Sequence, residues 1–206
     1  MKRYRILCLL FWGMFCLLSV AFANGEYNSI GEAQTYGIQG ANLSQEEFMA
    51  PWRSYEEKAQ QLSADADQAY CYTPYLVVAS DAWAKVNNHQ LVFLRDGEKI
   101  WQDYSGFLTF TIQLYLKDPE VPQSFSVWVE QKQHKIYAYQ VTLPAETKQV
   151  TTVIPGQPAK PAKQSYLFTG YSYFMDDVIR RDSPLILVAT VNNKQYRFYF
   201  DMASKR

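Results

Sequence analysis

From Phe107 to Leu116 apolar and polar side chains alternate without a break. Leu108, Phe110, Ile112, Leu114 and Leu116 fall on one side, and Thr109, Thr111 and Gln113 on the other. A period of two belongs to a strand with one face buried. The alternation recurs over residues 124–130 (Phe125, Val127, Val129), over 135–143 (Tyr137, Tyr139, Val141, Leu143) and over 196–200, where Tyr196, Phe198 and Phe200 oppose Arg197 and Tyr199. Residues 185–191 are apolar on both faces, which predicts a central strand. Residues 166–174 read as an aromatic strand in which Gly170 predicts a bulge. Residues 131–134 and the pair Asn192-Asn193 predict tight turns. The run Leu76-Val77-Val78-Ala79 predicts a further buried strand, followed by one helical turn over 80–85. Asp96-Gly97, between the apolar runs 91–94 and 100–101, predicts a hairpin.

One stretch has a helical period. Ser44 and Glu47 are spaced for a capping box, with Leu43 and Phe48 placed for a hydrophobic staple. Pro51 interrupts the pattern. Trp52, Tyr55, Ala59, Leu62, Ala66 and Ala69 then recur at steps of three and four, which predicts an amphipathic helix ending near Tyr70. Residues 24–42, rich in glycine and polar groups, predict a flexible lead segment. Residues 144–164 carry four prolines and predict a long exposed loop with an edge strand near Thr151 and Thr152. These signals give a mainly β chain. The expected fold is an antiparallel β-sandwich of about eight strands, Ig-like in general architecture, with one N-terminal helix packed on it. A single domain is expected over 43–206, because the residues beyond the loop are too few to form their own core.

The first 23 residues change the setting. Lys2, Arg3 and Arg5 precede an apolar run from Ile6 to Phe22, which ends in Ala21-Phe22-Ala23. This is the layout of a secretory signal peptide, and it places the rest of the chain in the periplasm or outside the cell. The alternative is an uncleaved N-terminal anchor, since the run approaches the length that spans a bilayer. Both readings export the remaining 183 residues. Removing residues 1–23 takes three of the 20 basic residues and none of the 20 acidic ones, which leaves a balance of −3. That balance offers no basic face for nucleic acid. Two of the three cysteines leave as well, so Cys71 stands without an internal disulfide partner and is expected to be a buried thiol.

Candidate chemistry is sparse. The sequence holds no Gly-rich phosphate loop, no His or Cys pair at metal spacing and no Gly-x-Ser-x-Gly elbow, and no cofactor is expected. Asp118, Asp176 and Asp177 are the residues a calcium ion would find at strand ends. The Asp-x-Asp-x-Asp-Gly spacing that makes such a loop specific is missing, so no metal is expected. Aromatic residues make up 16% of the chain. Tyr70, Tyr72 and Tyr75 cluster at one junction, and Tyr166, Tyr171 and Tyr173 in one strand. Tyrosine offers an apolar ring and a polar tip, which suits interfaces and sugar faces. The expected function is a non-enzymatic binding module of the cell envelope with a protein or glycan partner. Two alternatives are an exported hydrolase using dispersed acidic and tyrosine residues, and a structural subunit that assembles by edge-strand addition.

Overall fold

A computed structural model describes residues 29–63, 65–117, 119–152 and 163–205. The expected signal segment, residues 24–28 of the lead, Asp118 and residues 153–162 of the proline-rich loop lie outside the described residues. The chain divides into two compact units, residues 1–42 with 75–103 and residues 43–74 with 104–206. Among the described residues no helix is long and apolar enough to cross a membrane.

The first unit is helical, which overturns three expectations. Residues 29–39 form a helix (α1) rather than a flexible lead. Ile30, Ala33, Gln34 and Gly37 are buried at i, i+3, i+4 and i+7 and form its inner stripe. The run expected as a strand lies inside helix α3 (Pro74–Asn87). Pro74 opens it, where a missing N–H costs nothing, and Tyr75, Leu76, Ala79 and Ala82 are buried along it. The expected Asp96-Gly97 hairpin is part of helix α4 (Leu94–Tyr104). Asp96 is tied to Lys85 of α3 at 2.8 Å. Gly97 is present because a Cβ there would press on Ile30 and Gln34 at 2.8 Å, so its role is close helix approach and not a turn. The Gln34 amide donates to the Phe93 carbonyl at 2.9 Å.

The second unit is mainly β and antiparallel throughout. Helix α2 (Gln45–Met49) begins with the expected capping box: the Glu47 N–H donates to Ser44 Oγ at 3.2 Å and the Ser44 N–H to Glu47 Oε2 at 2.9 Å. The amphipathic helix expected after Pro51 does not form. Strand β1 (Arg53–Tyr55) and strand β2 (Gln68–Tyr72) pair with each other across the intervening loop. Leu62, which would lie on the apolar stripe of that helix, is 71% exposed. The remaining strands are β3 (Phe107–Leu116), β4 (Phe125–Gln131), β5 (His134–Tyr137), β6 (Gln140–Thr142), β7 (Lys148–Thr152), β8 (Lys163–Met175), β9 (Leu185–Val191) and β10 (Lys194–Phe200).

They form two sheets. One has the order β1-β2-β3-β8, with β6 and β7 both pairing β8, and the other has the order β10-β9-β4-β5. Both feed one core. Leu108, Phe110, Ile112 and Leu114 of β3 and Phe168 and Phe174 of β8 meet Val127 and Val129 of β4, Leu185 and Leu187 of β9 and Phe198 and Phe200 of β10. The apolar-both-faces strand β9 is indeed interior to its sheet. Asn192 and Asn193 have φ of 46° and 66°, and Lys132 and Gln133 have 47° and 68°. Two consecutive left-handed residues make the turn that matches the twist of a hairpin. Among the described residues, ten strands in two unequal sheets, accompanied by several helices, stand where a single Ig-like sandwich of about eight strands with one helix was expected.

Candidate functional site

Side chains of residues paired across an antiparallel ladder project from the same face of the sheet. The register therefore sorts the larger sheet into a core face and an outer face. Arg53 pairs with Tyr70, Tyr70 with Thr111, Thr111 with Tyr171 and Tyr171 with Thr142. The next row runs Tyr72, Thr109, Tyr173 and Gln140. On the other side of the first row lie Tyr55, Gln68, Gln113 and Thr169, and beyond them Tyr115 and Leu167. Six tyrosines thus share one face with threonines and glutamines set between them. The alternation that sends Phe110 and Ile112 into the core sends Thr111 and Gln113 to this face.

The face is braced by specific bonds. The Gln68 amide donates to Gln113 Oε1 at 3.0 Å. The Arg53 guanidinium lies 4.6 Å from the Tyr55 ring centre and pairs with Glu46 at 3.0 Å. The Tyr115 N–H donates to Asp67 Oδ1 at 2.8 Å. Burial pushes the phenols of Tyr70, Tyr72 and Tyr115 above their ordinary pKa, so they stay protonated and can both donate and accept. Tyr171 is 39% exposed and the other five are half-buried. At one corner Tyr115 also lines an open depression of about 1040 Å³ with Lys117, Gln123, Asn192 and Lys194.

Four of the six sequence candidates, Tyr70, Tyr72, Tyr171 and Tyr173, meet on this face. Tyr75 does not: it is buried in the helical unit, where its hydroxyl donates to the Glu32 carbonyl at 3.4 Å and its ring lies 6.2 Å from that of Tyr36. Tyr166 does not either, because its pairing with Leu116 and Gln149 places it on the opposite face of β8. Tyr55 and Tyr115 belong to the site and were missed. Tyr115 could have been found as the next outward position after Thr109, Thr111 and Gln113.

Other chemistry is accounted for elsewhere. Asp176 is paired with Arg181 at 2.9 Å and Asp182 with Arg180 at 2.8 Å. Among the described residues no group of three or more His, Cys, Asp or Glu gathers in a way that would hold a metal. Cys71 is enclosed in the core, and burial pushes its thiol up to about 12, far from the thiolate a nucleophile needs. Among the described residues, the carboxyl groups of Glu47, Asp96, Glu130 and Asp182 are held below their ordinary pKa, foremost by side-chain hydrogen bonds. A general acid working near neutral pH needs the opposite shift.

No family model, curated protein or solved structure matches this chain.

Proposed function

We propose that the chain is an exported, non-enzymatic binding module that takes an extended glycan across the tyrosine face of its larger sheet. One observation carries the reading: six tyrosines on one face with Thr109, Thr111, Thr169, Gln68 and Gln113 interleaved. A sugar ring presents apolar C–H faces and a rim of hydroxyls. Tyrosine rings suit the faces, and the phenol tips with half-buried Thr109, Gln113 and Thr169 suit the rim, while buried Gln68 and Thr111 brace the sheet beneath them. A protein interface of comparable area is built around an apolar centre, whereas Leu167 is the one aliphatic side chain in these rows. The face is a sheet surface rather than a closed pocket, which suits a chain more than a small molecule. Tyr70 and Tyr171 stand two strand spacings apart, about 10 Å. The two sheets, read together as a sandwich-type scaffold, supply the rigid support that such a face needs. Export rests on the basic, apolar and small-residue layout of residues 1–23.

The test is electrophoresis of residues 24–206 through gels containing individual cell-envelope polysaccharides. At least one polysaccharide should retard the protein. The double variant Tyr171→Ala, Tyr173→Ala should migrate freely while keeping its melting temperature within a few degrees. Equal retardation of variant and parent, or none for any polysaccharide, would overturn the reading.

A further inference from the structure

The smaller sheet carries a second, independent cluster on its own outer face. Val127 and Val129 of β4 enter the core, so Trp128 between them faces away from it. Trp128 is nonetheless only 7% exposed. Its cross-strand partner is Tyr137, with ring centres 6.2 Å apart and planes tilted by 48°. The next cross-strand pair on the same face is Glu130 and Lys135. The Lys135 ammonium sits 3.6 Å from the Trp128 ring centre and 4.8 Å from that of Tyr137. Glu130 closes the cluster: its Oε1 accepts from Trp128 Nε1 at 3.2 Å, and its Oε2 accepts from Arg197 at 2.9 Å. Two aromatic rings therefore hold a cation supplied by the protein itself, and the Glu130 carboxylate fixes the Trp128 indole beside it.

We propose that Trp128, Tyr137 and Glu130 form a binding site for a quaternary ammonium group, and that Lys135 occupies it as a displaceable stand-in. The seated ammonium shows which charge the cage accepts. Lys135 is exposed and lies on the short edge strand β5, so its hold is the modest one of a cation kept in water. A primary ammonium is strongly hydrated. A trimethylammonium group has no N–H to leave unpaired and gains more from the buried Trp128 ring, with the Tyr137 ring closing over its outer side. Beside the cage lies an open depression of about 540 Å³, lined by Glu130, Lys135, Ile186 and Tyr199 among others. It has room for the remainder of a choline-like ligand. Either a free molecule or a lipid headgroup can carry the same group.

The test follows the Trp128 indole N–H signal by NMR in residues 24–206, with choline chloride titrated against sodium chloride at equal ionic strength. Choline should shift the signal saturably and sodium should not. Lys135→Ala should tighten choline binding about two- to fivefold, as expected for removing an exposed competing cation. Tyr137→Ala, at a position 64% exposed and so safe for folding, should weaken it by a similar factor in the Lys135→Ala background. Sedimentation with phosphatidylcholine vesicles then separates the sources: co-sedimentation identifies the headgroup, and choline binding without it identifies a free ligand. A choline response equal to that of sodium, or one that neither substitution alters, would overturn the proposal and leave Lys135 as a purely structural partner of Trp128.

Discussion

Gly170 of β8 lies directly beneath the ring of Phe125 from the opposite sheet: a Cβ at Gly170 would stand 2.7 Å from Phe125 Cζ and 3.1 Å from Phe168 Cε1. The β3–β8 register runs unbroken through it, with Ile112 opposite. The bulge expected from the sequence is therefore absent, and the glycine exists to admit an aromatic ring. Phe125 and Phe168 meet edge to face at 5.3 Å across the same spot. Gly170→Ala should overpack this point and cost about 1–3 kcal/mol. Combining it with Phe125→Leu should cost less than the sum of the two single losses, because the shorter side chain vacates the space. Urea unfolding of the four proteins measures the coupling; strict additivity would mean that the two residues do not compete for the site.

Cys71 tests the tightness of the same core. It is fully buried, and its thiol is pushed up to about 12 by that burial. At pH 8 the folded protein should resist an aromatic disulfide reagent for hours, and urea should release complete labelling of one thiol in residues 24–206. Rapid labelling without denaturant would show that the sheets part readily around β2.

The strands were legible because a half-buried sheet writes its facing into the sequence with a period of two. β3, β4 and β10 all follow that rule, and β9 reads as interior because both its faces are apolar. The helices of the first unit were not legible because the same residues serve different ends there. Gly37 and Gly97 resemble turn residues but mark close helix approach: a Cβ at Gly37 would collide with the Ala79 carbonyl. A four-residue run such as Leu76–Ala79 fits a buried strand and a buried helix equally, and length alone decides. The opposite error arose at Tyr55, Ala59 and Leu62, where helical spacing occurs with no apolar surface to receive it.

The candidate site was half legible for a related reason. Composition marks tyrosines, but cross-strand register decides which of them share a face, and register is a long-range property. Tyr70 and Tyr171 are separated by 101 positions of sequence yet both pair with Thr111. Tyr166 lies within the same strand as Tyr171 and is excluded by parity. Tyr75 is excluded because the chain has already left the sheet at Pro74.

The proposed export has its own measurement. Mass spectrometry of the protein recovered from outside the cytoplasm should find Asn24 as the first residue, as cleavage after Ala21-Phe22-Ala23 requires. Recovery of intact Met1 from a membrane fraction would replace cleavage by anchoring. Recovery from the cytoplasm alone would remove the envelope setting on which the glycan reading rests.

Glu130 gives the stability of the smaller sheet a definite pH dependence. Hydrogen bonds from the Trp128 indole and the Arg197 guanidinium hold its carboxyl below the ordinary value of 4.5. The unfolded chain takes up a proton near that ordinary value, and the folded chain does so only at lower pH. Between the two the unfolded state binds more protons, so stability rises with pH there. The stabilisation is fully present above about pH 4.5 and is lost as the pH falls through the folded value. The Glu130 side chain is 38% exposed, so solvent screening limits the contribution to less than about 1 kcal/mol. Glu130→Gln keeps the shape and removes the charge. The gap between parent and variant, read from urea midpoints, should be widest near neutrality and should close on acidification toward about pH 3. The other carboxylates titrate in both proteins and cancel from this difference. A gap that stays constant across the range would mean that the Arg197 and Trp128 bonds do not distinguish the charged carboxylate from its neutral amide.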